Sequence, residues 1–259
     1  MNRRNRQRAF AVLIAALAAA GAGCEPSQSK PAAPPTFGET ENRISEKGKI
    51  MAREITIETS DGWTLYGDLY EPPVAAKGAV ILLHQYGGTA QDWQPLCAAL
   101  EADGITALAL DSRGAGRSAK GPGGSGEDAP WNTENDIAAA LDALPAGQPV
   151  ALAGASYGAN NALIFANAHP RRVRGIALFS PGANYHGLDA LAPAKAYRGP
   201  ILILTAAGDI IAASGPQQIH DLNPVNRTLT VLAGDGHGKA LLSPRVIEQT
   251  VTFFDQILR

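Results

Sequence analysis

Beyond residue 52, the apolar and polar positions fall into strand and helix periods. Residues 54–59 and 64–70 each alternate with a period of two, and Asp61-Gly62 between them is a hairpin signal. The two segments are expected to pair antiparallel at the edge of a sheet. The next strands do not alternate. Residues 79–83, 105–110, 150–153, 173–179, 201–204 and 228–232 are short, continuous apolar runs. Such runs are expected of strands covered on both faces, as in parallel sheets. Helical patterns at about 92–102, 133–144, 156–168, 217–222 and 244–258 separate most of them. Strand and helix alternating this often predict right-handed crossovers and an α/β layered fold with a mostly parallel central sheet.

The first fifty residues have a different pattern. Arg3, Arg4, Arg6 and Arg8 precede an apolar or small-residue run from 9 to 22, followed by Gly21-Ala22-Gly23-Cys24. The run is shorter than the roughly 20 residues that span a bilayer, and it suits the core of a signal peptide. The last four residues resemble a bacterial lipobox, in which a cysteine after a small residue is lipidated and becomes the new N-terminus. Gly21 departs from the aliphatic residue usual there. The alternative is ordinary secretion, with cleavage after Ala20 or Ala22. Residues 24–50 carry Pro26, Pro31, Pro34 and Pro35 in a polar run, a composition expected of a disordered linker. The expected organisation is therefore a signal peptide over 1–23, a linker over 24–50 and one domain over 51–259. The expected location is the bacterial cell envelope, by a lipid on Cys24 or as a soluble periplasmic or secreted protein.

Composition narrows the function. Hydrophobic residues make up 45% of the 259, enough for a sizeable core. Net charge is −2, from 22 Lys and Arg against 24 Asp and Glu, and aromatics are 6%, so neither a basic face nor a stacking platform points to nucleic acid. The two cysteines, Cys24 and Cys97, cannot build a disulfide framework, and Cys97 in its helical pattern reads as a small buried apolar residue. No cysteine pair or His-Glu-x-x-His stands at metal-ligand spacing, so no metal or cofactor is expected. The glycine-rich stretch 121–126 lacks a following Gly-Lys-Ser/Thr and reads as a plain loop.

In open α/β sheets, reactive groups gather at the carboxyl ends of the strands. After the run 150–153 comes Gly154-Ala155-Ser156-Tyr157-Gly158 and then a helix. This Gly-x-Ser-x-Gly at a strand-to-helix junction presents a serine oxygen on a tight turn, with glycines relieving the crowding. The following helix aims its amide dipoles at developing negative charge. After 79–83 comes His84-Gln85-Tyr86-Gly87-Gly88.

These motifs resemble the α/β-hydrolase superfamily, on its serine-esterase, dienelactone-hydrolase-related side. The likeness runs over essentially all of 51–259. It implies an α/β-hydrolase fold with antiparallel N-terminal edge strands and helices on both faces. It also implies an oxyanion hole made by the backbone N–H groups of Tyr86 and Tyr157. Gln85 stands where the family usually has glycine, which leaves Gln85 and Tyr86 as rival donors, and His84 reads as a residue bracing the loop. The segment Asp111-Ser112-Arg113-Gly114-Ala115-Gly116-Arg117-Ser118 matches a stretch that is structural in the family. The chain order Ser156, Asp209, His237 matches the family's nucleophile, acid and base. Asp221 and Asp235 are weaker candidates for the acid. The position after the preceding strand, used for the acid in some members, reads Ser180-Pro181 here. Residues 181–199, where many members insert a cap, leave room for only a minimal one.

The implied activity is hydrolysis of carboxylic esters of small, accessible substrates through a Ser-Asp-His triad and an acyl-enzyme. Peptidase, thioesterase, lyase and haloperoxidase-type chemistry use the same frame. A binding lipoprotein without catalysis is a further alternative.

Overall fold

The computed structural model describes residues 52–122, 124–125 and 129–259. The signal peptide, the lipidation of Cys24 and the linker therefore lie outside the described residues.

Eight strands form one sheet: β1 (Arg53–Glu58), β2 (Thr64–Tyr70), β3 (Ala79–Leu83), β4 (Thr106–Asp111), β5 (Val150–Ala155), β6 (Ile176–Phe179), β7 (Ile201–Ala206) and β8 (Arg227–Leu232). Their order is β1-β2-β4-β3-β5-β6-β7-β8. β2 runs antiparallel to β1 and to β4, and every other pairing is parallel. The alternating pair is at the edge, as its pattern predicts, with Gly62 at φ 86° in the turn.

The continuous apolar runs have two covered faces. In β3, Ala79, Ile81 and Leu83 face one core while Val80 and Leu82 face the other. Helices α2 (Glu134–Asp142) and α3 (Tyr157–Ala168) supply Ile137, Ala140, Ala159 and Leu163 to the first core. Helices α1 (Gln94–Ala102) and α6 (Pro244–Leu258) supply Leu96, Leu100, Val246 and Phe254 to the second. Short helices α4 (Leu191–Ala196) and α5 (Gly215–Leu222) close the first face beside β7.

Three details depart from the sequence reading. β8 is the second edge of the sheet rather than an interior strand, and Val231 is 54% exposed. The apolar content of its run reflects one covered face. The glycine-rich stretch is not a plain loop, because Lys120–Gly121 pairs with Gly124–Ser125. The cap segment holds a hairpin, Asn184–Tyr185 with Leu188–Asp189, followed by α4.

Sheet order reverses at β3, whose neighbours are β4 on one side and β5 on the other. The crevice at such a switch point, beyond the carboxyl ends of the strands, is where ligands bind in open α/β sheets.

Candidate active site

Ser156 joins β5 to α3 with φ 53° and ψ −121°, a conformation that costs a non-glycine residue energy and aims its side chain out of the turn. The flanking glycines are sterically required. A Cβ on Gly158 would lie 2.6 Å from the carbonyl oxygens of both Leu83 and His84. A Cβ on Gly154 would collide with the backbone of Gly158. The turn therefore presses α3 against the loop after β3. The Ser156 backbone N–H donates to Phe179 O at 2.8 Å, which ties the turn to β6.

The structure brings Ser156, His237 and Asp209 into one line. His237 Nε2 lies 2.9 Å from Ser156 Oγ, and its Nδ1 lies 2.9 and 3.0 Å from the two oxygens of Asp209. A carboxylate only accepts, so Nδ1 carries the proton and Nε2 accepts from the serine hydroxyl. Neither Asp235 nor Asp221 hydrogen-bonds to His237; Asp221 bonds instead to Gln217 and His220.

Asp209 is buried, which by itself raises its pKa. Hydrogen bonds from the Ser180 hydroxyl, the Ala212 N–H and His237 outweigh that cost and hold the carboxyl below its ordinary value. Ser180 was not expected to act here. It occupies the rival acid position at the end of β6, with φ 51°, and its Oγ also accepts from the N–H of Gly238 at 2.9 Å. The serine thus braces both the acid and the loop that carries His237.

His84 braces the loop after β3. Its Nε2 accepts from Ser112 N–H at 3.0 Å, so Nδ1 carries the proton and donates to Gln85 O at 2.8 Å. Burial holds its pKa below the ordinary value and keeps the ring neutral. Gln85 reaches the histidine loop, where its Oε1 accepts from Lys239 N–H at 2.8 Å. Tyr157 opens α3 directly beside Ser156, and Tyr86 lies just beyond β3 with its ring half exposed. The stretch after β4 is a scaffold: Asp111 accepts from Ala90 N–H and Arg117, and Arg113 pairs with Asp61 and Asp136.

Sequence reasoning missed an aromatic cluster that adjoins this line. Tyr185, on the cap hairpin, lies 6.4 Å edge-on from His237. Its burial pushes the phenol up to about 12, while a hydrogen bond with Ser156 acts the other way. His186, at the hairpin turn with φ 50°, stacks flat on Trp131 at 3.7 Å and 1°. Tyr86 leans on Trp131 at 5.2 Å. Tyr86, Trp131 and Tyr157 help line a cavity of about 280 Å³ between the β3 loop and the segment before α2. Only the aromatic identities were visible in the sequence, because their approach depends on the tertiary fold.

Comparison with known proteins agrees with this architecture. Residues 74–188 match the model of the serine aminopeptidase, S33, family. A cold-adapted esterase from an Arctic intertidal metagenomic library superposes with a TM-score of 0.70 at 21% identity, over 86% of this chain and 100% of that one. A dienelactone hydrolase from Anabaena variabilis gives 0.64 at 18%, over 81% and 100%. Est1E from Butyrivibrio proteoclasticus, solved with ferulic acid, gives 0.67 at 17%, over 78% and 98%. The chain has the α/β-hydrolase fold. Curated proteins give no match. The family match spans the β3 loop, the Gly154–Gly158 turn and most of the cap hairpin, and it ends before Asp209 and His237.

Proposed function

We propose that this protein cleaves carboxylic esters of small, accessible substrates through an acyl-enzyme on Ser156. The observation that carries the reading is the continuous hydrogen-bonded line from Ser156 Oγ through His237 to Asp209. Ser156 Oγ attacks the ester carbonyl while His237 Nε2 takes its proton. Asp209, buried and held anionic, orients the ring and stabilises the imidazolium. The N–H groups of Tyr157 and of Tyr86, or Gln85 in its place, donate to the oxyanion at the amino end of α3. His237 then protonates the departing alcohol. A water attacks the acyl-enzyme by the same route and frees the acid.

The minimal cap favours short, accessible substrates, and the cavity of about 280 Å³, which reaches the serine turn at Tyr157 but is not lined by Ser156, Asp209 or His237, is the space beside the line that part of a substrate would fill. The aromatic walls Trp131, Tyr86 and Tyr157 favour a planar group, in keeping with the ferulic acid bound by Est1E. A panel of aryl and alkyl esters, thioesters and aminoacyl amides tests the reading, together with fluorophosphonate labelling. Ester turnover lost in Ser156→Ala, with the fold intact, supports it; ester turnover surviving that change refutes it. Amide-only turnover would favour the second reading, an aminopeptidase, for which the match to the serine aminopeptidase model speaks.

The N-terminal pattern carries a separate proposal: the protein is exported and anchored to the cell envelope by a lipid on Cys24. Incorporation of labelled fatty acid that disappears in Cys24→Ser would support it, and unchanged incorporation would refute it.

A further inference from the structure

The sheet directions fix where the described chain enters. β1 pairs Arg53 with Leu69, which pairs in turn with Leu108 of β4, so β1 starts near the amino ends of the parallel strands and runs toward their carboxyl ends. The described chain therefore begins on the rim opposite Ser156, His237 and Asp209. The segment read from sequence as anchor and linker joins the domain at this base.

The base is also where cations collect. The turn between α3 and β6 carries Arg171, Arg172 and Arg174, all exposed. Arg174 N–H donates to Val150 O at 2.8 Å, placing the turn at the start of β5. The last turn of α4 adds Lys195, and the turn after it adds Arg198, just before β7. Arg172 pairs with Asp142, but Arg171, Arg174, Lys195 and Arg198 ion-pair with no described residue. Arg171, Arg172 and Arg174 line a groove of about 420 Å³ with Asp142 and Gln148, whose buried Oε1 has no partner. On the opposite rim, the unpaired Asp189 and Asp235 are matched by the unpaired Lys120 and Arg245.

We propose that this arginine-rich base docks on an anionic phospholipid surface, with the site facing away from the bilayer. Two observations select that occupant. The described chain begins on the base, and the base carries four exposed cations with no described ion-pair partner, which anionic headgroups attract. The inference builds on the envelope location read from the sequence and is independent of the reaction at Ser156. It also gives the orientation a use: substrates reach the cleft from the aqueous side.

The test is co-sedimentation of the full chain with vesicles, either phosphatidylcholine alone or phosphatidylcholine mixed with phosphatidylglycerol, at low and high salt. The wild type is compared with Arg171→Gln/Arg174→Gln and with Lys120→Gln/Arg245→Gln, which removes two cations from the site side. The N-terminal segment is common to all three proteins, so its contribution cancels. Binding of the base variant to anionic vesicles should weaken by about 30-fold at low salt, with unchanged thermal melting, while the control pair stays within about 3-fold of wild type. The advantage of the wild type should vanish at high salt and on phosphatidylcholine alone. Equal binding by all three proteins, equal losses in both variants, or a difference that persists on uncharged vesicles would overturn the proposal.

Discussion

The Gln85 side chain accepts a hydrogen bond from the Lys239 backbone N–H at 2.8 Å, across 154 residues of chain. It links the loop after β3, which bears Tyr86, to the loop that bears His237. The family's usual glycine at this position could not make the bond. Gly238 stands at φ 56°, and a Cβ there would collide with Gln85 Oε1. Glutamine at one position and glycine at the other therefore form a matched pair.

Replacing Gln85 by Ala should release that link. The Lys239 N–H is exposed enough to find water, so the stability loss should be about 1 kcal/mol. The kinetic effect should be larger in proportion. Both loops position groups around the ester carbonyl, and kcat is expected to fall about 10-fold with KM within about 2-fold. Steady-state kinetics on an aryl ester, with a melting curve, checks both. An unchanged kcat would show that the link only stabilises the fold.

The two glycines of the Ser156 turn give a sharper test. Gly158→Ala places a methyl 2.6 Å from the carbonyl oxygens of Leu83 and His84. These are backbone atoms of a central strand and of a loop locked by His84, so they have little room to give. The variant should lose about 1–3 kcal/mol of stability and most of its activity, because relief must move α3 away from the β3 loop. Denaturant unfolding read beside turnover measures both. A Gly147→Ala control meets no atoms, but its φ of 81° carries its own backbone strain, so it should lose stability and keep full activity.

The buried imidazole of His84 should weaken the fold in acid. Burial lowers its pKa in the folded protein, with the Gln85 hydrogen bond acting in the opposite direction. The unfolded chain then binds a proton at higher pH than the folded one does, so stability falls as pH drops below the unfolded value of about 6.5. Asp209 acts in the same direction lower down. Its depressed pKa contributes stability that is present above the ordinary carboxylate value of about 3.9 and is lost as pH falls through the folded value. Melting temperature should therefore decline in two stages, the first setting in below about pH 6.5. His84→Gln should be less stable at neutral pH and should lack that first stage. A first stage of full size in the variant would assign it to another group.

How much of this was legible depended on whether the signal was local. β3, with five buried apolar residues, and the β1–β2 pair, with its period of two, were readable because burial pattern and sequence pattern coincide along the strand. Ser156, Asp209 and His237 were nominated by small motifs at strand ends, which the sheet then collects on one rim. β8 was misjudged because Thr228 to Leu232 reads as apolar whether one face is covered or two. The cap hairpin was missed because its turn, His186-Gly187 with φ 50° and 87°, has histidine where the usual hairpin signal has asparagine or aspartate. Ser180 was noticed only as an absent acid. Its hydrogen bonds to Asp209 and Gly238 depend on β6 and β7 being neighbours, which no local pattern encodes.

Tyr185 tests whether that hairpin belongs to the chemistry. Its hydroxyl donates to Ser180 O at 3.2 Å beside Ser156, while its ring lies 6.4 Å edge-on from His237. With the phenol pushed up to about 12, the group stays protonated throughout the working range and can act only as a neutral hydrogen-bond partner. Tyr185→Phe keeps the ring and removes the oxygen. If the hydroxyl holds the serine in its reactive rotamer, kcat should fall about 10-fold, KM should stay within about 2-fold, and the pH profile should keep its shape. Tyr185→Ala should add a rise in KM through loss of the wall beside His237. A phenylalanine variant as active as the wild type would reduce Tyr185 to a packing residue of the cap.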